Sequence, residues 1–354
     1  MANEKLTAQQ RAALFAQATR QNFQMLPAEK ATGGSTTLSF QFPKSRLLSK
    51  VMLKCNALIK IKHASITNVP FDGFTPFKVL RKITMDLNNG FSPYVIGGKE
   101  AAMLNMIHIH PGVMTRNSNN EQAYVYMPDL KASTEGTTNV ISFNLELPVA
   151  LNDRDPVGLI LLQNDQTNVT LMCDIAAGAD ILDYATGYTV EVEQVVIQPM
   201  LETFSIPAVA DAYPDLSVLK LTNSRVDSYV GSGQNIIKLA TGTIYRRLVF
   251  QILDDNGNPL NDSQITSDIS LIFNQADANY NISPAALRAL NTRMLGYELP
   301  KGMFVFDFAN QGLTGLSGTR DYIDTNRLTE FWLRFSTVGK GKIIIISECL
   351  ARLA

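Results

Sequence analysis

The chain has 354 residues, of which 45% are hydrophobic and only 18% are charged, and its formal net charge is −1. This balance, without a basic tail, excludes direct packaging of nucleic acid, which relies on clustered Lys and Arg. The longest aliphatic runs, 158–162 and 343–346, fall far short of the ~20 residues of a membrane-spanning helix. Three scattered cysteines, with no apolar N-terminal signal, predict synthesis in a cytosol.

The first predicted element is an N-terminal helix over residues 8–25. Thr7 and Gln10 have the spacing of a capping box, which favours a helix that begins at residue 8. Residues 28–37 are rich in Gly, Ser and Thr and indicate a flexible connector. The helix either docks on its own subunit or binds a neighbour, and its mild positive charge also suits contact with acidic lipid headgroups.

Residues 38–199 have mostly the alternating pattern of β-strands. In 38–42 and 188–197 every second residue can face a core. One helical segment, 97–110, interrupts the pattern. The sequence Asn88-Asn89-Gly90 is a strong turn signal between two strands.

The second half repeats this β pattern after a segment with three prolines between residues 199 and 214. Because proline denies hydrogen bonds to a ladder, the segment suits a rigid crossover between domains. Ser283 and Pro284 then start the helix of the second half in the favoured way. We therefore expect a helical arm and linker over 1–36, a first β domain over 37–204 and a second over 205–354.

The same order of elements occurs twice, at an offset of about 190 residues, which indicates an internal duplication. The matched segments are 51–65 and 244–254, 78–87 and 268–273, 99–107 and 285–295, 141–147 and 331–335, and 157–162 and 342–347. Many short strands without βαβ alternation favour antiparallel sandwiches. The predicted fold is all-β, with two tandem eight-stranded jelly rolls, an N-terminal helix and one helix inserted in each half.

One group of residues invites a catalytic interpretation, the sequence His108-Ile109-His110. On a strand, both imidazoles would point to one side, and cupin-like metalloenzymes add a carboxylate and a third His to such a pair. The completing ligands are missing, since the remaining histidine is His63 and the first following acid is Glu121. No nucleophile elbow or phosphate-binding loop occurs. We predict structural histidines, no enzyme activity, and no catalytic, cofactor or metal site.

Several segments, in order, resemble one family of virus proteins. They are LTAQQRAALFAQ from residue 6, VEVEQVVIQPMLETFSIP from 190, YPDLSVLKLTNS from 213, ELPKGMFVFDF from 298, TEFWLRFS from 329 and KIIIISECLARL from 342. In this order they resemble the major capsid protein of tectiviruses, tailless double-stranded DNA phages with an internal membrane. The form in phages of Gram-positive bacilli is the most similar.

This resemblance implies a structural protein. It implies homotrimers of pseudo-hexagonal outline that tile an icosahedral shell around the internal membrane, with neighbouring trimers, penton and minor capsid proteins as partners. The location would be the virion capsid, after synthesis in the bacterial cytoplasm, with no cofactor. The arm would lie at the base of the shell and bind neighbours or the membrane; the residues proposed for this role are Leu6, Arg11, Leu14, Phe15 and Arg20.

Two other classes of function remain as alternatives. A two-domain cupin-like metalloenzyme would need a bound metal. A carbohydrate-binding sandwich would need clustered aromatic side chains, whereas the single Trp is Trp332. The low charged fraction, against roughly 25% in soluble domains, favours the structural protein, because subunit contacts would cover part of the surface.

Overall fold

The computed structural model describes residues 8–88, 90–151, 157–163, 167–182, 187–231, 233–274, 277–310 and 322–352. The chain divides into two compact units between Lys220 and Leu221. In each unit, alternating apolar residues form strands whose inward side chains meet in a core.

The first unit contains two antiparallel sheets. Its strands are β1 (Gln21–Met25), β2 (Glu29–Ala31), β3 (Thr37–Gln41), β4 (Leu47–Lys62), β5 (Leu80–Leu87), β6 (Phe91–Ile96), β7 (Val125–Tyr126), β8 (Thr137–Pro148), β9 (Ile160–Leu161), β10 (Val169–Ile175) and β11 (Thr189–Phe204). One sheet has the order β1-β11-β4-β8-β7, with β2 also on β11 and β9 also on β4, and the other has the order β3-β10-β5-β6. Along β4, Val51, Leu53 and Ile59 face the core with no exposed surface.

The second unit also contains two antiparallel sheets. Its strands are β12 (Val218–Tyr229), β13 (Gly233–Lys238), β14 (Ile244–Asp254), β15 (Ile269–Phe273), β16 (Asp277–Ile282), β17 (Met303–Asp307), β18 (Ile323–Asp324), β19 (Phe331–Thr337) and β20 (Gly341–Arg352). The orders are β12-β20-β14-β17, with β18 on β14, and β13-β19-β15-β16. Aromatic side chains dominate the core, where Phe250 stacks on Phe304 and Phe273 stacks on Phe331.

The two units share one topology. The order β1-β11-β4-β8 in the first unit corresponds to β12-β20-β14-β17 in the second, and β3-β10-β5-β6 corresponds to β13-β19-β15-β16. Eight strands in two sheets with this order form a jelly roll. The predicted fold of two tandem eight-stranded jelly rolls is confirmed.

The strand pairing corrects two segments of the predicted repeat. Strand β8, which contains 141–147, pairs with β4 as β17 pairs with β14, so its counterpart is β17 and not 331–335. Likewise β20, which contains 342–347, corresponds to β11 and not to 157–162. The reason is that the connection from α2 to β8 in the first unit, over 109–136, is longer than the connection from α5 to β17 in the second unit. The sequence offset between equivalent elements is therefore not constant along the chain.

The helices are α1 (Ala8–Ala18), α2 (Gly98–His108), α3 (Pro111–Met114), α4 (Gly178–Ile181) and α5 (Pro284–Leu295), and short 3-10 turns lie at Thr75–Val79, Ala210–Ala212, Asp262–Gln264 and Phe308–Asn310. None of the helices described is both long enough and apolar enough to cross a membrane. Helices α2 and α5 are the predicted insertions, and the first unit has α3 and α4 in addition.

The predicted helix over 8–25 is wrong in its second half. Helix α1 ends at Ala18, and Gln21–Met25 forms β1 instead, in register with β11 from Gln21 opposite Phe204 to Met25 opposite Met200. Ladder hydrogen bonds to a strand nearly 180 residues away thus prevail over a local helical pattern.

The proline-bearing segment near residue 205 packs on the first unit. Ile206 and Leu216 contact the small apolar cluster of Phe15, Leu47 and Leu159. This packing explains why the units divide after Lys220, downstream of the limit at 205 expected from the sequence. The domain limits at 36 and 204 stay a prediction.

Candidate assembly surface

The histidines do not form a metal site in the described part of the chain. His108 is the last residue of α2 and His110 precedes α3, where its Nδ1 accepts from the backbone N–H of Gly112 at 3.2 Å. The pair does not lie on one strand, as the cupin-like alternative would require, and His108 lies in the helical segment predicted over 97–110. His63 Nδ1 accepts from the backbone N–H of Ser65 and Ile66. Among the described residues, no group of three potential ligands could hold a metal ion.

The three cysteines are buried and free. Burial raises the pKa of the Cys173 and Cys349 thiols to about 12. Burial, with a smaller contribution from Cys173, also raises the pKa of Cys55. Because the thiolate is the nucleophile, these thiols are inert at neutral pH.

The buried side chain of Phe15 attaches helix α1 to the first unit. Phe15 is 5% exposed and meets the Phe204 ring edge-on, with centroids 5.4 Å apart. Just beyond the helix, the backbone N–H of Arg20 donates to Ser205 Oγ at 2.9 Å. Arg11, Leu14 and the Arg20 side chain remain exposed, and Leu6 lies outside the described residues. The helix thus docks on its own subunit and presents a second side to solvent.

Strand β1 presents apolar side chains to solvent. Phe23 is 58% and Met25 59% exposed, on the side of the sheet that faces away from the core. Met25 lies opposite Met200 on β11, and Met200 lies opposite Met52 on β4. Directly opposed residues share one face of a sheet, so these methionines form a row. We call Phe23, Met25, Met52 and Met200 the arm face.

A cluster of charges borders the arm face. Lys50 Nζ on β4 lies 3.0 Å from Glu146 on β8 and 4.0 Å from Glu202 on β11. Gln21 Nε2 donates to the Glu202 carboxylate. The apolar row is thus bounded by polar groups, the usual arrangement of a protein interface. Flexible methionines adapt to the shape of a partner.

An apolar cavity of about 610 Å³ opens in the first unit beside α1. Its walls include Leu87 and Phe91 from the β5–β6 hairpin, Ile160 from β9, and Leu159 and Leu216. Leu159 belongs to the same apolar cluster as Phe15, and Leu216 packs against that cluster, so the cavity adjoins the docking site of α1.

Sequence reasoning found α1 but missed the arm face. The predicted helix over 8–25 includes Phe23 and Met25, and on a helix two residues that are two positions apart do not share a face. Met200 and Met52 are far apart along the chain, and only the register of β4, β11 and β1 aligns them. The available signal was the alternation in Gln21–Met25, with apolar residues at positions 23 and 25.

No family model matches the sequence, and no curated protein matches it. Solved structures do match. The STIV MCP has a TM-score of 0.67 and 13% identity over 94% of this chain and 97% of that chain. PBCV-1 VP54, fitted into a reconstruction of the virophage Sputnik, has a TM-score of 0.65 and 10% identity over 95% of each chain.

The major capsid protein P2 from bacteriophage PM2 has a TM-score of 0.56 and 9% identity, over 95% of this chain and 98% of that chain. At such low identity, the likeness shows a shared fold and nothing finer. It extends over both jelly rolls, because nearly all of this chain and nearly all of each matched chain are covered.

Proposed function

We propose that this protein is the major capsid protein of a virus, a structural subunit without catalysis. One observation carries the proposal: both jelly rolls together, over at least 94% of the chain, match the fold of proteins named as capsid proteins. A chain with two similar units also suits assembly, since three copies place six similar units around one axis and give a nearly hexagonal outline.

The finer form of the proposal follows the resemblance in the sequence. The trimers tile an icosahedral shell around an internal membrane that encloses double-stranded DNA, as in tectiviruses, with penton and minor capsid proteins as further partners. Neighbouring trimers or the membrane contact the arm at Leu6, Arg11, Leu14 and Arg20, while Phe15, the fifth residue expected in this role, is buried on its own subunit and holds the helix there. The exposed side chains of Arg11 and Leu14 support this part of the proposal.

The arm face is the surface that we assign to contact between copies. Phe23 and Met25 expose more than half of their surface, and an apolar strand at a sheet edge is a hazard unless something covers it. Obligate interfaces of this kind bury more than about 2,000 Å² in total. A small patch can therefore be only part of the interface, and its loss should weaken the trimer without abolishing the fold.

Light scattering coupled to size-exclusion chromatography tests the proposal, followed by electron microscopy of the purified protein. We expect three times the chain mass of 39.0 kDa. The variant Phe23→Ser/Met25→Ser should dissociate at higher concentration than the wild type, while Val140→Ser, an exposed residue on β8, serves as control. A stable monomer at micromolar concentration would overturn the proposal.

Deletion of residues 1–18 tests the arm. This deletion removes α1 and leaves β1 in its sheet, whereas a deletion through residue 30 would also remove a strand paired with β11. We expect folded trimers that fail to form complete shells. Full-sized shells from the truncated protein would contradict the role of α1.

A further inference from the structure

The inserted helices of both units contact a sheet edge in the same way. Asn105 is the eighth residue of α2 and Asn291 the eighth of α5, and they are 0% and 2% exposed. Asn105 Nδ2 donates to the carbonyl oxygen of Glu146 and its Oδ1 accepts from the N–H of Glu146, both at 2.7 Å. Asn291 binds Val305 likewise, at 2.7 and 3.0 Å.

The two residues bound by these amides occupy equivalent strands. Glu146 lies on β8 opposite Met52, and Val305 lies on β17 opposite Val249. The amide side chain approaches from the other side and satisfies one N–H and one C=O of the same residue. Each asparagine thus replaces, at one position, the neighbouring strand that the edge lacks.

The rest of this edge of β8 is closed as well. Strand β7 pairs with β8 at Ser142, and the N–H of Asn144 donates to the carbonyl oxygen of Tyr124 at 3.0 Å. Pro148 at the end of the strand has no N–H. From residue 142 to 148 the outward donors of β8 are occupied or absent, and Asn105 supplies the acceptor at Glu146.

We propose that Asn105 completes the closure of the β8 edge, and that Asn291 blocks the β17 edge at Val305, against strand addition from other chains. An open edge is a template for another chain, and capsid subunits meet at very high local concentration. With these edges closed, copies associate through side-chain surfaces such as the arm face. This biological role rests on the proposed function, but the closure itself belongs to the single chain.

Two variants test the proposal, Asn105→Ala and Asn291→Ala, each studied in the full chain before assembly. Hydrogen exchange of the Glu146 or Val305 amide should accelerate at least about tenfold, since a buried donor loses its acceptor. The variants should also form thioflavin-binding aggregates. The matched control is Asn139→Ala, because Asn139 is also buried, at 4% exposed, and its amide binds both the N–H and the C=O of Lys131. Lys131 lies in an isolated bridge with Asn68 and not on β8 or β17.

A rescue separates edge closure from stability. Adding Glu146→Pro to Asn105→Ala removes the outward N–H, so aggregation should stop although the lost hydrogen bonds do not return. Unchanged exchange at Glu146 and Val305, equal aggregation of the Asn139 variant, or failure of both asparagine variants to fold would overturn the proposal. Because these readouts precede assembly, an absence of trimers would count against the proposed function alone.

Discussion

The two units each place a cation at a similar point of equivalent strands, β4 and β14, but they bury it to different degrees. In the first unit Lys50 contacts Glu146 and Glu202, and these side chains are 16–21% exposed. In the second, Arg247 contacts Asp307 at 2.9 Å and Glu348 at 3.0 Å, and the two acids are 5% and 2% exposed. A shared topology therefore fixes which strands the ion pairs join, whereas burial decides how much each ion pair contributes to stability.

The buried cluster is electrostatically the stronger of the two. Burial alone would lower the pKa of the Arg247 guanidinium, but Glu348 and Asp307 outweigh it, so that its pKa lies above the ordinary value. A bidentate guanidinium also suits two carboxylates better than an ammonium does. The comparison predicts a large cost for deletion of the cation in the second unit and a small cost in the first.

The largest expected effect is that of Arg247→Met. Two carboxylates that are almost fully buried would lose their guanidinium, and the free energy of unfolding should fall by about 3–5 kcal/mol. Chemical denaturation measures it. Arg293→Met, on the exposed side of α5, is the control and should change little. A loss below about 1 kcal/mol for Arg247→Met would contradict the comparison.

Next comes Phe15→Ala, in an arm that has no counterpart in the second unit. Loss of a buried Phe costs about 3 kcal/mol or more, and this cost falls on the docking of α1. Trypsin should cleave after Arg11 much faster than in the wild type, while Leu14→Ala, at a residue 36% exposed, should not change the rate. Equal rates for both variants would show that Phe15 does not hold the helix.

Lys50→Met should have a smaller effect than either. Partly exposed ion pairs contribute about 1 kcal/mol or less, and methionine keeps much of the apolar stem. The same denaturation experiment as for Arg247→Met gives a direct comparison of the two units. If both substitutions cost the same, burial is not what distinguishes the two clusters.

The smallest effect concerns the first turn of the inserted helices, where α2 has Glu100 and α5 has Ala286. Burial raises the pKa of Glu100, against smaller opposing effects that include Lys99 and Lys78. Because the pKa of Glu100 is raised in the folded state, its protonated carboxyl group contributes to the stability of the fold at low pH. This contribution is lost as pH rises through the folded pKa. Glu100→Gln should therefore flatten the pH dependence of the melting temperature and slightly stabilise the protein at neutral pH.

Much of the architecture could be predicted from the sequence, because alternation and turn residues are local signals. The jelly rolls, α1 and both inserted helices follow from them. The end of α1 could not be predicted, since β1 exists only through its register with β11. The same holds for the repeat, where the first unit's extra residues between α2 and β8 shift every later element.

The candidate surface was predictable only in part. Leu14 and Phe15 were recognised, yet which of them is buried depends on the position of Phe204. The methionine row and the two asparagines combine residues from separate strands and helices. An Asn inside a helix reads as a weak helix former, and its bonds to Glu146 or Val305 become visible only when the strand is in place.

The buried cysteines provide a way to follow each half of the molecule separately. Cys55 and Cys173 lie within the first unit with no exposed surface, and Cys349 lies in the core of the second. A maleimide can reach them only when the surrounding sheets open. Peptide mapping after timed alkylation would therefore report the opening rate of each jelly roll separately, in free subunits and in assembled particles.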